Sequence, residues 1–113
     1  MAKKVLVTDS LQEAGVEALR AAEAEGLRVT HVTETHIHAD FVSGARELAE
    51  RAGARLLLSG EGGEAWRYRY AGDAGAATLS DGDRFRVGRL EFEVMHTPGH
   101  TPDSLTLRAQ GHL

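Results

Sequence analysis

The sequence predicts an α/β fold in which two helices pack against a mixed β-sheet. Two observations lead to this prediction. Short strand-like runs alternate with helical segments up to residue 58, and from Ala76 onward the apolar residues recur with a period of two, which is typical of half-buried strands. The chain has 113 residues, of which 42% are apolar, enough for one hydrophobic core. We therefore expect residues 1–113 to form a single domain.

The first half of the chain begins with the pattern of a β-α unit. The apolar run Val5-Leu6-Val7 predicts a buried strand that ends in turn-forming residues. Apolar residues at helical spacing from Leu11 to Glu25 predict a helix, with Ser10 and Glu13 as a capping box and Gly26 as its stop.

A second unit of the same kind follows. Leu27 to Thr33 alternates imperfectly between apolar and polar residues and predicts a strand parallel to the first, because a helix connects the two. Val42 to Ala52, with Ser43 near its start, predicts the second helix, and Arg55 to Leu58 predicts a third buried strand.

The second half of the chain predicts a loop followed by antiparallel hairpins. Ser59 to Gly75 is glycine-rich and predicts a loop or lid. The hairpins would run from Thr78-Leu79 through a turn at Asp81-Gly82-Asp83 to the alternating segment Leu90 to Val94, and a last strand would lie around Ser104 to Leu107.

Composition narrows the classes of partner. The net charge is −4 and the chain has no block of Lys or Arg, so we expect no nucleic-acid partner and no anionic membrane surface. No apolar run approaches the roughly 20 residues that span a bilayer, and the N-terminus lacks a signal-peptide core, so we expect a cytoplasmic protein that acts on a small molecule. The absence of cysteine means that any metal must be bound by histidine and carboxylate.

The segment after the second predicted strand concentrates potential metal ligands. It reads Thr35-His36-Ile37-His38-Ala39-Asp40, and side chains two residues apart in an extended segment point the same way, so His36 and His38 can converge on one ion. Asp40 can bind a harder second ion or act as a catalytic residue that orients bound water. Imidazole nitrogen favours Zn(II) or Fe(II). The alternative is a solvated polar loop with no ligand role.

A second motif favours the metal-binding interpretation. His100 lies in the run Pro98-Gly99-His100-Thr101-Pro102, where Pro98 fixes φ and Gly99 permits a sharp bend that can direct the histidine inward.

Together the two motifs resemble those of the metallo-β-lactamase-fold enzymes. Glu34 to Gly44 is similar to the family motif His-x-His-x-Asp-His, and Asp81 to Pro102 resembles the second metal motif with its preceding hairpins. The resemblance implies part of an αββα sandwich, its N-terminal half. It also implies that His36, His38 and His100 bind a first metal and that Asp40 binds a second.

The chain departs from the family pattern at Phe41, where members with two metals carry histidine. This resembles the iron-dependent persulfide dioxygenase subgroup, in which His36 and His100 would bind iron with an aspartate from a later strand. We expect that aspartate to lie beyond Leu113. We also expect the opening hairpins and the second half of the sandwich to be missing from the chain, so that a homo-oligomer covers the exposed apolar sheet.

Three functions remain open from the sequence. The first is a persulfide dioxygenase that oxidises a glutathione-derived persulfide to sulfite. The second is a thioester hydrolase of the hydroxyacylglutathione type, in which a metal-activated water attacks the carbonyl. The third is a catalytically inert metal-binding or scaffold fragment.

The remaining polar and aromatic candidates fit other roles. His31 fits a strand surface, His96 fits a hydrogen-bonding role beside the metal, and His112 lies too near the terminus to be expected as a ligand. Asp81 and Asp83 fit turn formation. The segment Trp66-Arg67-Tyr68-Arg69-Tyr70 fits either a surface for a glutathione-like thiol or an exposed edge strand.

Overall fold

The computed structural model describes residues 3–8, 12–37, 44–66, 68, 72 and 75–110. Seven strands and two α-helices lie within these residues. They are β1 (Lys3–Thr8), α1 (Gln12–Ala24), β2 (Leu27–Thr33), α2 (Ala45–Ala52), β3 (Arg55–Ser59), β4 (Ala77–Leu79), β5 (Arg84–Val87), β6 (Leu90–His96) and β7 (Leu105–Gln110). The fold class is confirmed, with parallel pairing in one sheet and antiparallel pairing in another.

The parallel sheet has the strand order β1-β2-β3-β4. One of its faces packs on the two helices, and the buried residues of this first core are Ala22, Val29, Val32, Ala45, Leu48, Ala49, Leu56, Leu58 and Tyr68. The middle residue of the β3 leucine run, Leu57, belongs instead to a second core. Strand β3 is therefore covered on both faces, which is why its sequence is continuously apolar rather than alternating.

The imperfect alternation in β2 is caused by a β-bulge. Val5 pairs with Val29 and Leu6 with His31, so that Thr30 is an extra residue on β2. The extra residue allows both Val29 and Val32 to pack into the helix-side core.

The antiparallel sheet has the order β5-β6-β7 and buries one face. Its inner residues Val94 and Leu105 meet Leu57 and Leu79 of the parallel sheet to form the second core. Phe85 lies opposite Phe92, with ring centroids 5.2 Å apart. The layers are thus helices, parallel sheet and antiparallel sheet.

One strand assignment from the sequence is wrong. Thr78-Leu79 was expected to open the antiparallel hairpins, but β4 pairs in parallel with β3, with Leu57 opposite Ala77 and Ser59 opposite Leu79. A strand of three residues is too short for a period to reveal which sheet it joins.

The helix boundaries agree with the predicted segments where the structure describes them. Gly53 ends α2 in the left-handed conformation, with φ +63°, as expected for a C-terminal glycine. Ser10, Val42 and Ser43, which were assigned to the helix starts, lie outside the described residues. Over the described part of the chain, neither helix has the length and hydropathy to cross a membrane.

Candidate metal centre

The two histidine motifs meet where the parallel and antiparallel sheets join. The first motif follows the carboxyl end of β2, and the second lies in the turn between β6 and β7. The N–H of Leu105, at the start of β7, donates to the carbonyl of Thr35 at 2.7 Å. This bond joins the segment after β2 to the start of β7 and brings the two motifs together.

His36 and His100 lie side by side. Their ring centroids are 5.0 Å apart and the rings are nearly perpendicular, at 86°. The side chain of His36 is half-buried and hydrogen-bonds through Nδ1 to the Thr35 hydroxyl at 2.9 Å, whereas His100 is exposed. His38 and Asp40, the other two predicted ligands, lie outside the described residues.

The two imidazoles fit a metal ion in chemistry, since nitrogen donors of this kind bind zinc and ferrous iron. A hydrogen bond at Nδ1, as His36 makes to Thr35, is the arrangement that fixes the ring of a metal-binding histidine. Within the described ranges, no group of three His, Asp or Glu side chains is close enough to hold an ion. The described part of the site therefore brings together two candidate ligands, His36 and His100.

The turn that carries His100 is held by hydrogen bonds at its base. The hydroxyls of Thr101 and Ser104 are 2.7 Å apart, and the N–H of Thr97 donates to the carbonyl of Ser104 at 2.9 Å. His96 donates from Nε2 to the carbonyl of Pro102 at 2.8 Å, and its Nδ1 lies 3.2 Å from a carboxylate oxygen of Glu61. Through these contacts His96 supports the turn, and its expected hydrogen-bonding role beside a metal stays a prediction.

Asp103 was overlooked in the sequence, yet it is the most buried polar residue beside the turn. Its side chain has no exposed surface, and its Oδ2 accepts the N–H of Ile37 at 2.8 Å. Its Oδ1 has no hydrogen-bond partner in the part of the chain that the structure describes. No local pattern could have identified this residue, because its partner is 66 positions away.

Ser59 and Gly62 also support the turn and were not singled out in the sequence. The Ser59 hydroxyl donates to the carbonyl of Asp103 at 2.7 Å. Gly62 has φ +88°, and a Cβ at this position would lie 3.0 Å from the nitrogen of Asp103. Only glycine allows the backbone after β3 to approach the turn this closely.

Of the aromatic segment from Trp66 to Tyr70, the structure describes Trp66 and Tyr68. Tyr68 is only 7% exposed and packs in the helix-side core, with its hydroxyl 3.4 Å from Oε2 of the buried Glu34. Tyr68 therefore belongs neither to a thiol-binding surface nor to an exposed edge strand. Arg67, Arg69 and Tyr70 lie outside the described residues.

The other candidates have structural contacts. His31 is half-buried, stacks on Phe85 with ring centroids 6.1 Å apart, and has a lowered pKa because of burial and the positive charges of Arg55 and Lys4. Asp81 accepts the N–H of His96 at 2.8 Å. Asp83 accepts the N–H of Ser80 at 2.8 Å. Both bonds hold the turn at residues 80–83, which agrees with the prediction that these two residues form a turn. His112 lies outside the described residues.

Comparison with known proteins finds relatives of this chain in sequence and in fold. The hydroxyacylglutathione hydrolase of Anaeromyxobacter dehalogenans is 40% identical over 97 residues, which cover 85% of this chain and 35% of that protein. A metallo-β-lactamase from Staphylococcus aureus superposes with a TM-score of 0.86 and 34% identity over 96% of this chain and 32% of that one. ETHE1 from Myxococcus xanthus superposes with a TM-score of 0.76 and 31% identity over 94% of this chain and 43% of that one.

The chain thus spans about a third of the length of the curated relatives that it matches. The family model of the metallo-β-lactamase superfamily, whose members typically bind divalent metals such as zinc, matches residues 2–112. With this match over almost the whole chain, and with two histidine motifs joined at the seam of its sheets, the protein belongs to the metallo-β-lactamase superfamily.

Proposed function

We propose that this chain binds a divalent metal ion at His36 and His100 and forms the metal-binding part of an enzyme that acts on a glutathione-derived substrate. The observation that carries the proposal is the 5.0 Å approach of the two imidazoles. His38 and Asp40 are proposed as further ligands on the sequence motif alone, and Asp40 also as the residue that orients water.

The residues around the pair have defined tasks in this proposal. The Thr35 hydroxyl holds the ring of His36 through Nδ1, and the bonds at the base of the turn hold His100 facing it. When bound, iron would supply oxygen chemistry, and zinc would supply an acidified water with a pKa of about 7. The protein contributes the orientation, which decides whether either chemistry is productive.

The leading activity is oxidation of a glutathione persulfide by molecular oxygen, in which the S–S bond breaks, glutathione leaves as the thiol, and water supplies the third oxygen of the sulfite. Phe41 stands where family members with two metals carry histidine, which favours a site with one metal. The likeness to ETHE1 from Myxococcus xanthus, at 31% identity, supports placing the chain near that branch.

Thioester hydrolysis is the second candidate, and the names of the curated relatives favour it. Two of them, at 40% and 38% identity, are hydroxyacylglutathione hydrolases. In this case Zn(II) would take the place of Fe(II), and the substrate would be the glutathione thioester of a hydroxy acid.

A third candidate is a metal-binding chain without catalysis. The approach of His36 and His100 supports metal binding and does not by itself require turnover. Metal binding alone can stabilise a folded chain, because the free energy of binding adds to that of folding.

A metal titration tests the centre. We expect His36→Ala and His100→Ala to lower the stoichiometry of bound Zn(II) or Fe(II), because each removes one imidazole of the pair. His31→Ala is the matched control, since His31 is a half-buried histidine on β2, the strand that leads to His36, and stacks on Phe85 instead of on a histidine. Equal loss of metal in His31→Ala and His36→Ala would contradict the assignment.

Two activity assays then separate the candidates. Oxygen uptake with glutathione persulfide on iron-loaded protein supports the dioxygenase, and hydrolysis of S-lactoylglutathione by zinc-loaded protein supports the hydrolase. Metal binding without either turnover supports the third candidate.

A further inference from the structure

We propose that Asp103 is a positioning residue that holds His36 beside His100, and that it does so through the hydrogen bond from the Ile37 N–H to its carboxylate. This inference rests on the metal centre proposed above. Asp103 is fully buried and lies three residues after His100, while its partner is the residue next to His36.

Hydrogen bonds to residues 103–105 hold the backbone on both sides of His36. Ahead of His36, the carbonyl of Thr35 accepts the N–H of Leu105 at 2.7 Å. After His36, the N–H of Ile37 donates to Oδ2 of Asp103 at 2.8 Å. Because both peptides that flank His36 are bonded to residues 103–105, the backbone at His36 cannot shift without breaking one of these bonds.

The same segment is fixed relative to His100. Thr101 and Ser104 hydrogen-bond through their hydroxyls at 2.7 Å and through the backbone at 3.3 Å. The carbonyl of Asp103 also accepts the Ser59 hydroxyl at 2.7 Å, which ties the segment to the end of β3. The carboxylate of Asp103 is therefore one of two links between the loops, beside the bond from Leu105 to Thr35, and it is the one made by a side chain.

The second carboxylate oxygen indicates a role beyond folding. Oδ1 is buried and has no hydrogen-bond partner among the described residues. A buried polar atom without a partner lowers stability, so the presence of this carboxylate is better explained by the site beside it than by its contribution to the fold.

The test is a titration of the full 113-residue chain with Co(II) and Zn(II), followed by the visible absorption of bound Co(II), which reports ligand number and geometry. We expect Asp103→Ala to raise the metal Kd about 10- to 100-fold, as removal of supporting hydrogen bonds does at other metal sites, and to change the Co(II) spectrum. Asp103→Asn keeps an oxygen acceptor for Ile37 and should bind metal within about threefold of the original protein.

Ser59→Ala is the matched control, because it removes a bond to the backbone of Asp103 and leaves the carboxylate in place. We expect it to lower the melting temperature and to change the Co(II) spectrum clearly less than Asp103→Ala does, because the bond from Ile37 to the carboxylate stays intact. If Asp103→Ala does not fold, Asp103→Ser takes its place, since a hydroxyl on the shorter side chain reaches less far toward Ile37.

The outcomes separate this inference from the function on which it rests. Tight metal binding that is the same in Asp103→Ala and the original protein would overturn the role of Asp103 and leave the metal centre standing. Loss in Asp103→Asn as large as in Asp103→Ala would also overturn it, by assigning the effect to charge. A change of the Co(II) spectrum in Ser59→Ala as large as that in Asp103→Ala would also overturn the role of the carboxylate, because a less well held segment would then explain both changes. No metal binding by the original protein would overturn both proposals.

Discussion

The two sheets of this chain differ in what lies on their outer faces. Strand β3 of the parallel sheet is buried on both sides, between the helices and the antiparallel sheet. The antiparallel sheet is buried on one side, and its other side carries a lattice of ion pairs among Arg84, Arg86, Glu91, Glu93 and Arg108.

The residues that stabilise the fold and the residues of the candidate site therefore lie in different parts of the molecule. The parallel sheet and its helices form most of the apolar core, and the antiparallel sheet contributes the turn that carries His100. The candidate site lies at the seam, where Leu105 bonds to Thr35 and Asp103 bonds to Ile37. Substitutions in the cores of the sheets should therefore lower mainly the free energy of unfolding. Substitutions where the sheets join should weaken metal binding even when they change the free energy of unfolding little.

The largest expected effect comes from Leu57, which faces the antiparallel sheet from the middle of β3. It is 2% exposed and belongs to the core between the sheets. We expect Leu57→Ala to lower the free energy of unfolding by about 2–5 kcal/mol, because it removes buried methyl groups and leaves a cavity. Chemical denaturation measures this loss.

Leu107→Ala is the comparison for Leu57, since Leu107 packs against the same core but is only partly buried. Its loss should be clearly smaller. Equal losses in the two variants would show that the core between the sheets is not centred on β3.

The next effect concerns the approach of Gly62 to the turn. We expect Gly62→Ala to destabilise the protein by more than Gly63→Ala does. Both glycines have positive φ, at +88° and +80°, but only at Gly62 would a Cβ meet the backbone of Pro102 and Asp103, at 3.1 and 3.0 Å. The strain of positive φ costs about 1–2 kcal/mol in either variant, and the collision should add about 1–3 kcal/mol at Gly62.

Thermal unfolding together with a Zn(II) titration measures this pair of variants. If the collision displaces the turn, Gly62→Ala should also weaken metal binding, whereas Gly63→Ala should not. Identical behaviour of the two variants would mean that the close approach at Gly62 is unimportant.

The sequence predicted where the helices and strands lie better than it predicted which segments they pair with or pack against. The period of the apolar residues and the terminal glycines indicate where strands and helices lie, because these signals are local. Strand β4 was misassigned, since its partner is set by Leu57 and Ser59 on a distant segment. Tyr68 looked like a surface residue for the same reason, because its partner Glu34 is 34 residues away.

The candidate site shows the same division. His36 and His100 could be proposed from their motifs because the ligand residues and their spacing are characteristic, and the structure places them side by side. The support of the site by Asp103, Ser59 and Gly62 depends on contacts between distant segments, which no local pattern encodes.

A smaller effect is expected from the pH dependence of His31, which lies between the two sheets. Burial, and then the charges of Arg55 and Lys4, lower its pKa below the ordinary value of 6.5. Between the lowered value and 6.5 the unfolded chain binds more protons than the folded one, so stability falls as the pH drops through this window. Above 6.5 the ring is neutral in both states and the effect vanishes.

His31→Gln removes the titrating imidazole, and the comparison is between this variant and the original protein. We measure the free energy of unfolding of both proteins between about pH 5 and 8. The difference should shift against the original protein as the solution becomes more acidic. A difference that stays constant with pH would contradict the lowered pKa.

The smallest effect should come from the charged face of the antiparallel sheet. Glu93 lies 2.7 Å from Arg108 and 3.4 Å from Arg84, but both arginine side chains are 54% exposed. Exposed ion pairs contribute little because solvent and salt screen them, so we expect Glu93→Gln to lower the free energy of unfolding by less than about 1 kcal/mol at low salt. The loss should shrink further in 1 M salt, where the screening length falls to about 3 Å.

Glu64→Gln is the control, because Glu64 is exposed and makes no ion pair with any residue that the structure describes. A loss at Glu93 as large as that at Leu57, or one that does not depend on salt, would show that the outer face of this sheet contributes to stability through packing, and that the two sheets are more alike than their surfaces indicate.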